Sequence, residues 1–262
     1  MTKQTLQTDE LEFLVQHYRL SVENVEDPLS FPCKNLRNAD FVDDLLVRLN
    51  QIYKISEPYV IASQFMKRYS YMLTVPYLYA MSVWDKQIDF APDKVSFQSF
   101  EQDGVWLPKL HLSSIEVTTP YGGSRTEWRE CSLKKLFKEH LSPIIEILAR
   151  QGRVSRQILW ENTATYIFWI YESMVVKYPN NRVILDDFNA ILNADGVLFG
   201  NYSFNPIRKF YTEKRVVPVM DTELRVRKTC CFYNRLPGVQ VSCTTCPKTC
   251  TIGQKRGEVV NG

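Results

Sequence analysis

The chain has 262 residues, of which 45% are hydrophobic and 23% are charged, with a formal net charge of +3 at pH 7. A chain of this length and composition can bury a substantial core, which excludes an intrinsically disordered protein. The longest apolar stretch, 166–171 and its flanks, lies between Glu161 and Glu172, and it is far shorter than the roughly 20 residues that a membrane span requires.

The N-terminal segment, MTKQTLQTDELEF, contains acidic residues and no apolar core of a secretory signal. We therefore expect a cytoplasmic protein whose cysteines stay reduced and available as ligands. The net charge is modest, and no RNA-binding module with aromatic and basic side chains is recognisable. Both observations argue against a nucleic acid partner.

Two amphipathic helices and a longer buried helix are predicted in the first third of the chain. Apolar residues recur at helical spacing in 8–20 and again in 40–53. The segment 57–84 is more apolar and more aromatic, and it contains Pro76. We expect a buried helix there that kinks or restarts near the proline.

A small antiparallel sheet is predicted between residues 95 and 120. Val95 and Phe97, and then 105–112, alternate in the manner of strands, and Gln102-Asp103-Gly104 is a hairpin signal. Gly122-Gly123 marks the expected end of this strand region.

Helical periodicity returns at Thr126 and continues to about Asn193, with breaks expected near Pro143, Gly152 and Pro179. The most apolar helix is expected at 155–178, where its aromatic and Met side chains suit a core seam.

The fold class predicted from these patterns is α+β. We expect a helical body with a small antiparallel sheet over 1–199 and a loop-rich cysteine region over 200–262. The loop at 195–206 is a candidate hinge between the two.

Other polar residues carry no recognisable chemistry. The three histidines, His17, His111 and His140, lie in different predicted elements, so each is expected to be a surface or core residue. The adjacent carboxylates Asp186 and Asp187 point different ways on a helix, which predicts solvated positions. Neither a dinucleotide fingerprint nor a nucleotide-phosphate loop is found, so we expect no flavin or NAD site.

Five of the seven cysteines lie in the last 33 residues, and four of them form the pattern Cys230-Cys231-x11-Cys243-x2-Cys246. Four thiolates on a short segment suit either a tetrahedral zinc ion or an iron-sulfur cluster. Only Cys243 and Cys246 form a metal knuckle, and the contiguous pair can share a site only across an unusual turn. A two-iron cluster distributes its ligands over two metal atoms, so the spacing leaves both metals open.

The cysteines are flanked by a longer run of residues, from Asn205-Pro206 through Leu236-Pro237-Gly238 to Pro247. This run resembles the C-terminal signature of the siderophore ferric reductases, the FhuF-like family. The segment 159–162, Leu-Trp-Glu-Asn, is similar to that family's tryptophan-asparagine segment, although the family commonly has glycine where this chain has Glu161. The gap of eleven residues between the cysteine pairs is one residue longer than is usual there.

The resemblance implies a [2Fe-2S] cluster held by Cys230, Cys231, Cys243 and Cys246. It also implies an oxidoreductase of iron acquisition that passes one electron to a ferric siderophore and releases Fe(II) in the cytoplasm. Because no flavin site is predicted, the electron must come from an external donor such as a ferredoxin or a flavoprotein. Cys250 lies beyond the signature, and we interpret it as a bystander.

Positive charge is concentrated around the cysteines. Residues 200–262 contain eleven Lys and Arg against four Asp and Glu, whereas the preceding residues contain twenty-one against twenty-five. Nearby cations favour the more negative, reduced form of a cluster and attract anionic ligands. We predict substrate contacts at Arg225, Arg227, Lys228 and Trp160, and we identify no catalytic acid or base.

Two other functions remain compatible with the sequence. The first is a cluster-bearing redox or iron sensor, and the second is a zinc-stapled binding protein without chemistry. Visible colour and metal content separate zinc from iron, and substrate turnover separates a reductase from a sensor.

Overall fold

The computed structural model of the protein describes residues 2–120, 123–217, 221–240 and 242–250. Within these ranges the α-helices are α1 (Thr8–Tyr18), α2 (Ala39–Tyr53), α3 (Pro58–Trp84), α4 (Arg125–Lys134), α5 (Ser142–Gln151), α6 (Arg156–Lys177) and α7 (Arg182–Asn193). The strands are β1 (Thr2–Thr5), β2 (Leu20–Ser21), β3 (Phe31–Pro32), β4 (Gln87–Ile88), β5 (Val95–Gln98), β6 (Glu101–Gln102), β7 (Val105–Trp106), β8 (Lys109–Leu112), β9 (Glu116–Thr119), β10 (Arg215–Val217) and β11 (Thr222–Leu224). The predicted fold class, a mainly helical α+β protein with a loop-rich cysteine region, is confirmed.

The strands near residues 95–120 form the centre of two small sheets. One has the order β1-β9-β4 and is antiparallel throughout, and the other has the order β2-β8-β5-β3. In the second sheet β2 pairs with β8 in parallel, and the other pairings are antiparallel. The predicted hairpin is β6-β7, and Asp103 and Gly104 both have positive φ in its turn. The outer strands have two to four residues each, which is too short for alternation to predict them.

The long helix α3 is the core of the helical body, and it packs most extensively against α6. Its residues are buried over most of its length on all sides. Helix α3 does not restart at Pro76, because it continues through the proline as one helix. The proline removes one backbone hydrogen bond, and tertiary packing of a buried helix outweighs that loss. None of the helices in the described ranges is sufficiently long and apolar to cross a membrane.

The other helix boundaries follow local chemistry. Helix α1 ends two residues before the predicted end, because Arg19 adopts the left-handed conformation and Leu20 begins β2. At the predicted break near Pro143 the chain stays helical, and a π-helical turn at Lys135–Leu141 joins α4 to α5. Pro143 lies in the first turn of α5, directly after the π-helical turn. The breaks at Gly152 and Pro179 are confirmed, and Gly122 of the predicted strand end lies outside the described residues.

The prediction that Asp187 is solvated is wrong. Its side chain is fully buried and accepts hydrogen bonds from Arg125 Nη1 at 2.7 Å, Arg125 Nη2 at 2.9 Å and Ser82 Oγ at 2.8 Å. A two-point pair with arginine compensates the burial of the carboxylate, so Asp187 joins α7 to α3 and α4. Helical spacing alone does not reveal this role, because the arginine lies sixty-two residues away in the chain.

His140 is a core histidine. Its Nε2 lies 2.5 Å from Tyr69 Oη and its Nδ1 lies 2.5 Å from the Phe90 carbonyl. Burial lowers the pKa of His140 from 6.5 to about 4, and the charge of Arg37 acts in the same direction. The folded protein therefore holds this imidazole neutral at pH values where an unfolded chain protonates it.

We expect this histidine to make the folded state less stable in mild acid. Between pH 6.5 and 4 the unfolded state binds the extra proton, so the free energy of unfolding should fall by about 3 kcal/mol as the pH decreases. Urea unfolding at a series of pH values measures the slope. In His140→Gln this part of the slope should disappear, whereas in His17→Gln, a change at an exposed histidine, it should persist. An unchanged slope in His140→Gln would contradict the assignment.

Candidate metal centre

The segment that leads to the cysteines is anchored to the end of α7. The Asn205 side chain donates to the carbonyls of Ile191 and Ala194, and its oxygen accepts the N–H of Ile207. These bonds satisfy carbonyls that the end of a helix leaves unpaired. The start of the cysteine region is therefore held against the helical body by one asparagine.

Glu161 of α6 is the main attachment point of the cysteine region. Its carboxylate accepts the backbone N–H groups of Lys228 at 2.6 Å and Thr229 at 2.7 Å, and also the hydroxyl of Thr229. The same carboxylate lies 3.7 Å from Nε of Arg227. Glu161 and Arg227 are both buried, so charge pairing and hydrogen bonds together compensate the loss of water.

A second attachment runs through the neighbouring residue Asn162. Its oxygen accepts from Arg227 Nη2 at 2.6 Å, and its amide donates to the Ser63 hydroxyl of α3 at 3.0 Å. Ser63 in turn donates to the carbonyl of Cys231 at 2.9 Å, and Gln64 donates to the same carbonyl at 2.5 Å. The backbone of Cys231 is therefore fixed by two buried side chains of α3.

The contiguous cysteines lie on an unusual turn, as their spacing requires. Phe232, which follows Cys231, has a φ of 62° and thus a left-handed conformation that bulky residues rarely adopt. Its ring packs edge-on against Tyr59 with centroids 4.9 Å apart, and its N–H approaches Cys230 Sγ at 3.4 Å. Packing against α3 stabilises this turn.

Two sulfurs from the two cysteine pairs meet at the centre of the site. Cys231 Sγ lies 3.7 Å from Cys243 Sγ, and neither residue is in a disulfide. The hydrogen bond between them lowers the pKa of Cys231, and the positive charges of Lys67 and Arg227 act in the same direction. The same contact raises the pKa of Cys243, which keeps the proton. The thiolate is the form of cysteine that binds metal, so a cation beside this sulfur favours metal binding.

The remaining sulfurs differ in burial and in hydrogen bonding. Cys246 is buried, and although burial opposes it, backbone hydrogen bonds from Thr249 and Lys248 lower its pKa overall. Cys230 Sγ lies 3.8 Å from Asn234 Oδ1. Cys250 is buried and donates to the Thr244 carbonyl at 3.5 Å, and burial raises its pKa. Cys250 is therefore the least thiolate-like of the buried sulfurs in this segment.

The donors at this site are soft sulfur atoms. A structural zinc site needs four such donors around one point, whereas a two-iron cluster takes its four cysteines on two metal atoms. Across the described ranges, no group of three or more His, Cys, Asp or Glu side chains is arranged to hold one metal ion. The close Cys231–Cys243 pair, with Cys246 beside it, provides ligands of the kind that both metal groups take.

Lys67 supplies a positive charge to the site. Its ammonium lies 3.7 Å from Cys231 Sγ and 5.1 Å from the ring centroid of Tyr233. Lys67 follows Gln64 by one turn of α3, so the helix that fixes the Cys231 carbonyl also presents a cation to its sulfur.

The four predicted substrate residues have different positions. Trp160 is buried, and its indole N–H donates to Tyr202 Oη at 2.9 Å. Arg227 is buried between Glu161 and Asn162, Arg225 forms an ion pair with Glu172, and Lys228 is exposed. In this conformation Trp160 and Arg227 hold structure, while Arg225 and Lys228 face an open cleft.

That cleft lies between α6, the β10-β11 hairpin and the cysteine knuckle. It consists of a pocket of about 250 Å³ that includes Thr245 in its wall and a neighbouring pocket of about 780 Å³ that reaches Pro247. The two pockets share Lys214, Val226 and Arg227. Because Thr245 and Pro247 flank Cys246, a ligand in the cleft would lie next to the cysteine knuckle.

Sequence reasoning missed most of the residues that support the site. Glu161 and Asn162 lie in the tryptophan-asparagine segment 159–162, which is the signal that the sequence offers for them, although its pattern predicts a role only for Trp160. Ser63, Gln64 and Lys67 lie in α3 and are separated from the cysteines by more than 160 residues. Periodicity shows them only as part of a buried helix.

Known proteins resemble this chain in two segments. The family model described as Ferric iron reductase FhuF-like transporter matches residues 63–199, and the model described as FhuF 2Fe-2S C-terminal domain matches residues 227–248. The ferric siderophore reductase of Escherichia coli (strain K12) is 23% identical over 197 residues, which cover 75% of this chain and 69% of that protein. The first segment contains Ser63, Lys67 and Glu161 and the second contains their partners, so both sides of the contact fall within matched segments.

Proposed function

The chain belongs to the FhuF-like ferric iron reductase family, a family of oxidoreductases with a C-terminal 2Fe-2S domain, and on that basis we propose that it reduces ferric siderophores by one electron. The observation that supports this most directly is the approach of the Cys231 and Cys243 sulfurs to 3.7 Å, next to a cleft whose larger pocket, about 780 Å³, is in the size range of small-molecule sites.

We propose Cys230, Cys231, Cys243 and Cys246 as the ligands of the [2Fe-2S] cluster. When bound, such a cluster accepts and donates single electrons. Glu161 and Asn162 hold the cysteine segment on the helical body, and Ser63 and Gln64 fix the Cys231 backbone. These residues limit the movement of the ligands, which keeps the site in one geometry between oxidation states.

The ferric siderophore is placed in the cleft beside the knuckle. Trp169, which is 46% exposed, and Phe168 provide an aromatic wall, and Arg225 stacks on Tyr211 with its charge 4.0 Å from the ring centroid. Lys228 lines the outer pocket. An aromatic wall suits a large chelate, and Lys228 adds a cation at the outer edge, whereas the charge of Arg225 is paired with Glu172.

Reduction releases the metal because of the different affinities of the two oxidation states. Hard oxygen ligands hold Fe(III) tightly, and Fe(II), with its lower charge, is bound much more weakly. One electron enters the ferric chelate, Fe(II) leaves, and protons fill the freed ligand oxygens. The electron comes from an external donor such as a ferredoxin or a flavoprotein, and we place the reaction in the cytoplasm, where the seven free thiols would stay reduced.

Spectroscopy and turnover on one sample test this proposal. Anaerobically purified protein should be coloured, contain about two irons per chain and give a new S = 1/2 EPR signal on reduction. The pre-reduced protein should then convert ferric trihydroxamate or triscatecholate chelates to Fe(II), trapped by a ferrous-specific chelator. A colourless protein with one zinc would exclude the reductase, and a reducible cluster that transfers no electron to either chelate would favour a sensor.

Variants of the cleft test the place of the substrate. Trp169→Ala and Lys228→Gln should raise KM for the ferric chelate several-fold and leave the EPR signal unchanged, because neither side chain contacts a cysteine. Val176→Ala, a change on the same helix at an exposed position outside the cleft, is the control. Equal KM values in all variants would mean that the substrate binds outside this cleft.

A further inference from the structure

One cation touches a sulfur of the cysteine site directly. The Lys67 ammonium is 3.7 Å from Cys231 Sγ, which is within the range of a hydrogen bond to sulfur. It also lies over the Tyr233 ring, whose negative face attracts it. Lys67 lies outside the cysteine signature and more than 160 residues before Cys231.

The charge of Lys67 has no acidic partner in the part of the chain that the structure describes. The contacts of its ammonium there are the Cys231 sulfur and the Tyr233 ring. Arg227, the other cation that acts on Cys231, is paired with Glu161 and Asn162. Lys67 therefore contributes a net positive charge at this sulfur, whereas the charge of Arg227 is largely compensated.

We propose that Lys67 sets the reduction potential of the cysteine site. It does so by donating a hydrogen bond to the Cys231 sulfur and by holding a positive charge next to it. An added electron makes a thiolate-ligated cluster more negative, and donors to its sulfurs stabilise the extra charge. Removing the cation should therefore make the site harder to reduce. The short distance matters because the interaction of two charges weakens with distance and with exposure to water.

The position of Lys67 on α3 makes this role specific. Ser63 and Gln64, one turn earlier, hold the Cys231 carbonyl, so the same rigid helix sets both the backbone and the charge at this ligand. Other cations near the cysteines, Lys228 and Arg235, have exposed side chains, and water screens their effect. We expect the potential to respond much more strongly to Lys67 than to either of these.

A redox titration of the iron-loaded full chain, followed by EPR, tests the inference without any siderophore. In Lys67→Gln the ratio of reduced to oxidised protein at a fixed potential should fall at least tenfold, which corresponds to a midpoint lowered by about 59 mV for one electron. Lys67→Arg, which restores the cation, should recover most of the shift. Lys67→Met, which keeps the apolar stem and removes the charge, should behave like Lys67→Gln.

Arg235→Gln is the matched control, since it removes one exposed positive charge next to Tyr233. A shift in Lys67→Gln that is no larger than in Arg235→Gln would overturn the inference, as would equal shifts in Lys67→Gln and Lys67→Arg. The inference rests on the proposed cysteine ligation. Wild-type protein that contains no iron would reject that proposal, whereas an iron-loaded Lys67→Gln protein with the wild-type potential would reject the role of Lys67 alone.

Discussion

The Cys231→Ser protein is expected to lose its iron, its colour and its ferric reductase activity together. Iron should fall from about two atoms per chain to nearly none, and turnover of a ferric chelate should fall to the rate of the chemical reductant alone. The reason is that Cys231 is one of the four proposed ligands, and its sulfur lies 3.7 Å from that of a second, Cys243. A serine hydroxyl is a hard and weakly acidic ligand that replaces a thiolate poorly.

The fold around position 231 should survive this change. Ser63 and Gln64 bind the backbone carbonyl of Cys231, not its sulfur, so both bonds remain available in the serine variant. Circular dichroism and thermal unfolding of the iron-free proteins should therefore agree between the variant and the wild type. This separates loss of a ligand from loss of structure.

Cys250→Ser provides the control, because it removes another buried thiol of the same segment. Its sulfur donates to the Thr244 carbonyl and burial raises its pKa, so we expect wild-type iron content and activity. Iron reduction at the wild-type rate by iron-free Cys231→Ser would refute the mechanism. Loss of iron in Cys250→Ser would instead show that the bystander interpretation is wrong.

Replacing Glu161 with alanine is expected to release the cysteine region from the helical body. The change leaves the N–H groups of Lys228 and Thr229 without their acceptor. It also removes the carboxylate paired with the buried charge of Arg227, which keeps its hydrogen bond to Asn162. Removing one partner of a buried, hydrogen-bonded ion pair typically costs about 3–5 kcal/mol. We expect this cost to weaken the docking of residues 227–229 on α6, because those residues contain every group that loses its partner.

Two measurements detect the release of the cysteine region in Glu161→Ala. Hydrogen exchange should show loss of protection at the amides of Lys228 and Thr229, with α3 and α7 still protected. Iron should dissociate from the variant much faster than from the wild type when a chelator is added, because the sulfur ligands are no longer held together.

Glu172→Gln is the control for this experiment. Glu172 lies on the same helix and pairs with Lys214 and Arg225, but it is partly exposed, so its loss should cost less than about 1 kcal/mol. Unchanged iron retention in Glu161→Ala would mean that the buried carboxylate does not hold the site. An equal effect in both variants would mean that net charge, and not the specific contacts, is responsible.

Parts of the fold that depend on local pattern were predictable. The boundaries of α2 and α6 differ from the predicted helices by one residue at most at either end. The reason is that an apolar run of helical length and an N-cap residue, Asn38 in α2 and Ser155 in α6, both act locally. Pro76 shows the limit of the same reasoning. A proline has a strong local effect, but the helix that contains it is buried on all sides, and packing decides.

The charged residues show more clearly what local sequence pattern cannot predict. Asp187 appeared solvated from its helical position, and it is buried because Arg125 reaches it from another helix. The cations around the cysteines appeared as a common basic surface, and two of them, Arg225 and Arg227, are compensated by Glu172 and Glu161. Electrostatic roles depend on pairs that are distant in sequence, and composition cannot reveal them.

The sequence by itself determined the soft-ligand chemistry of this protein, since four cysteines and their flanking residues indicate the metal and the family without any coordinates. Tertiary structure alone decided how those cysteines are held and tuned. Cys231 receives its backbone support from Ser63 and Gln64 and its charge from Lys67, all on a helix far away in the chain. The physical reason is that ligand identity is a property of single residues, whereas burial, thiolate character and potential arise only where distant elements meet.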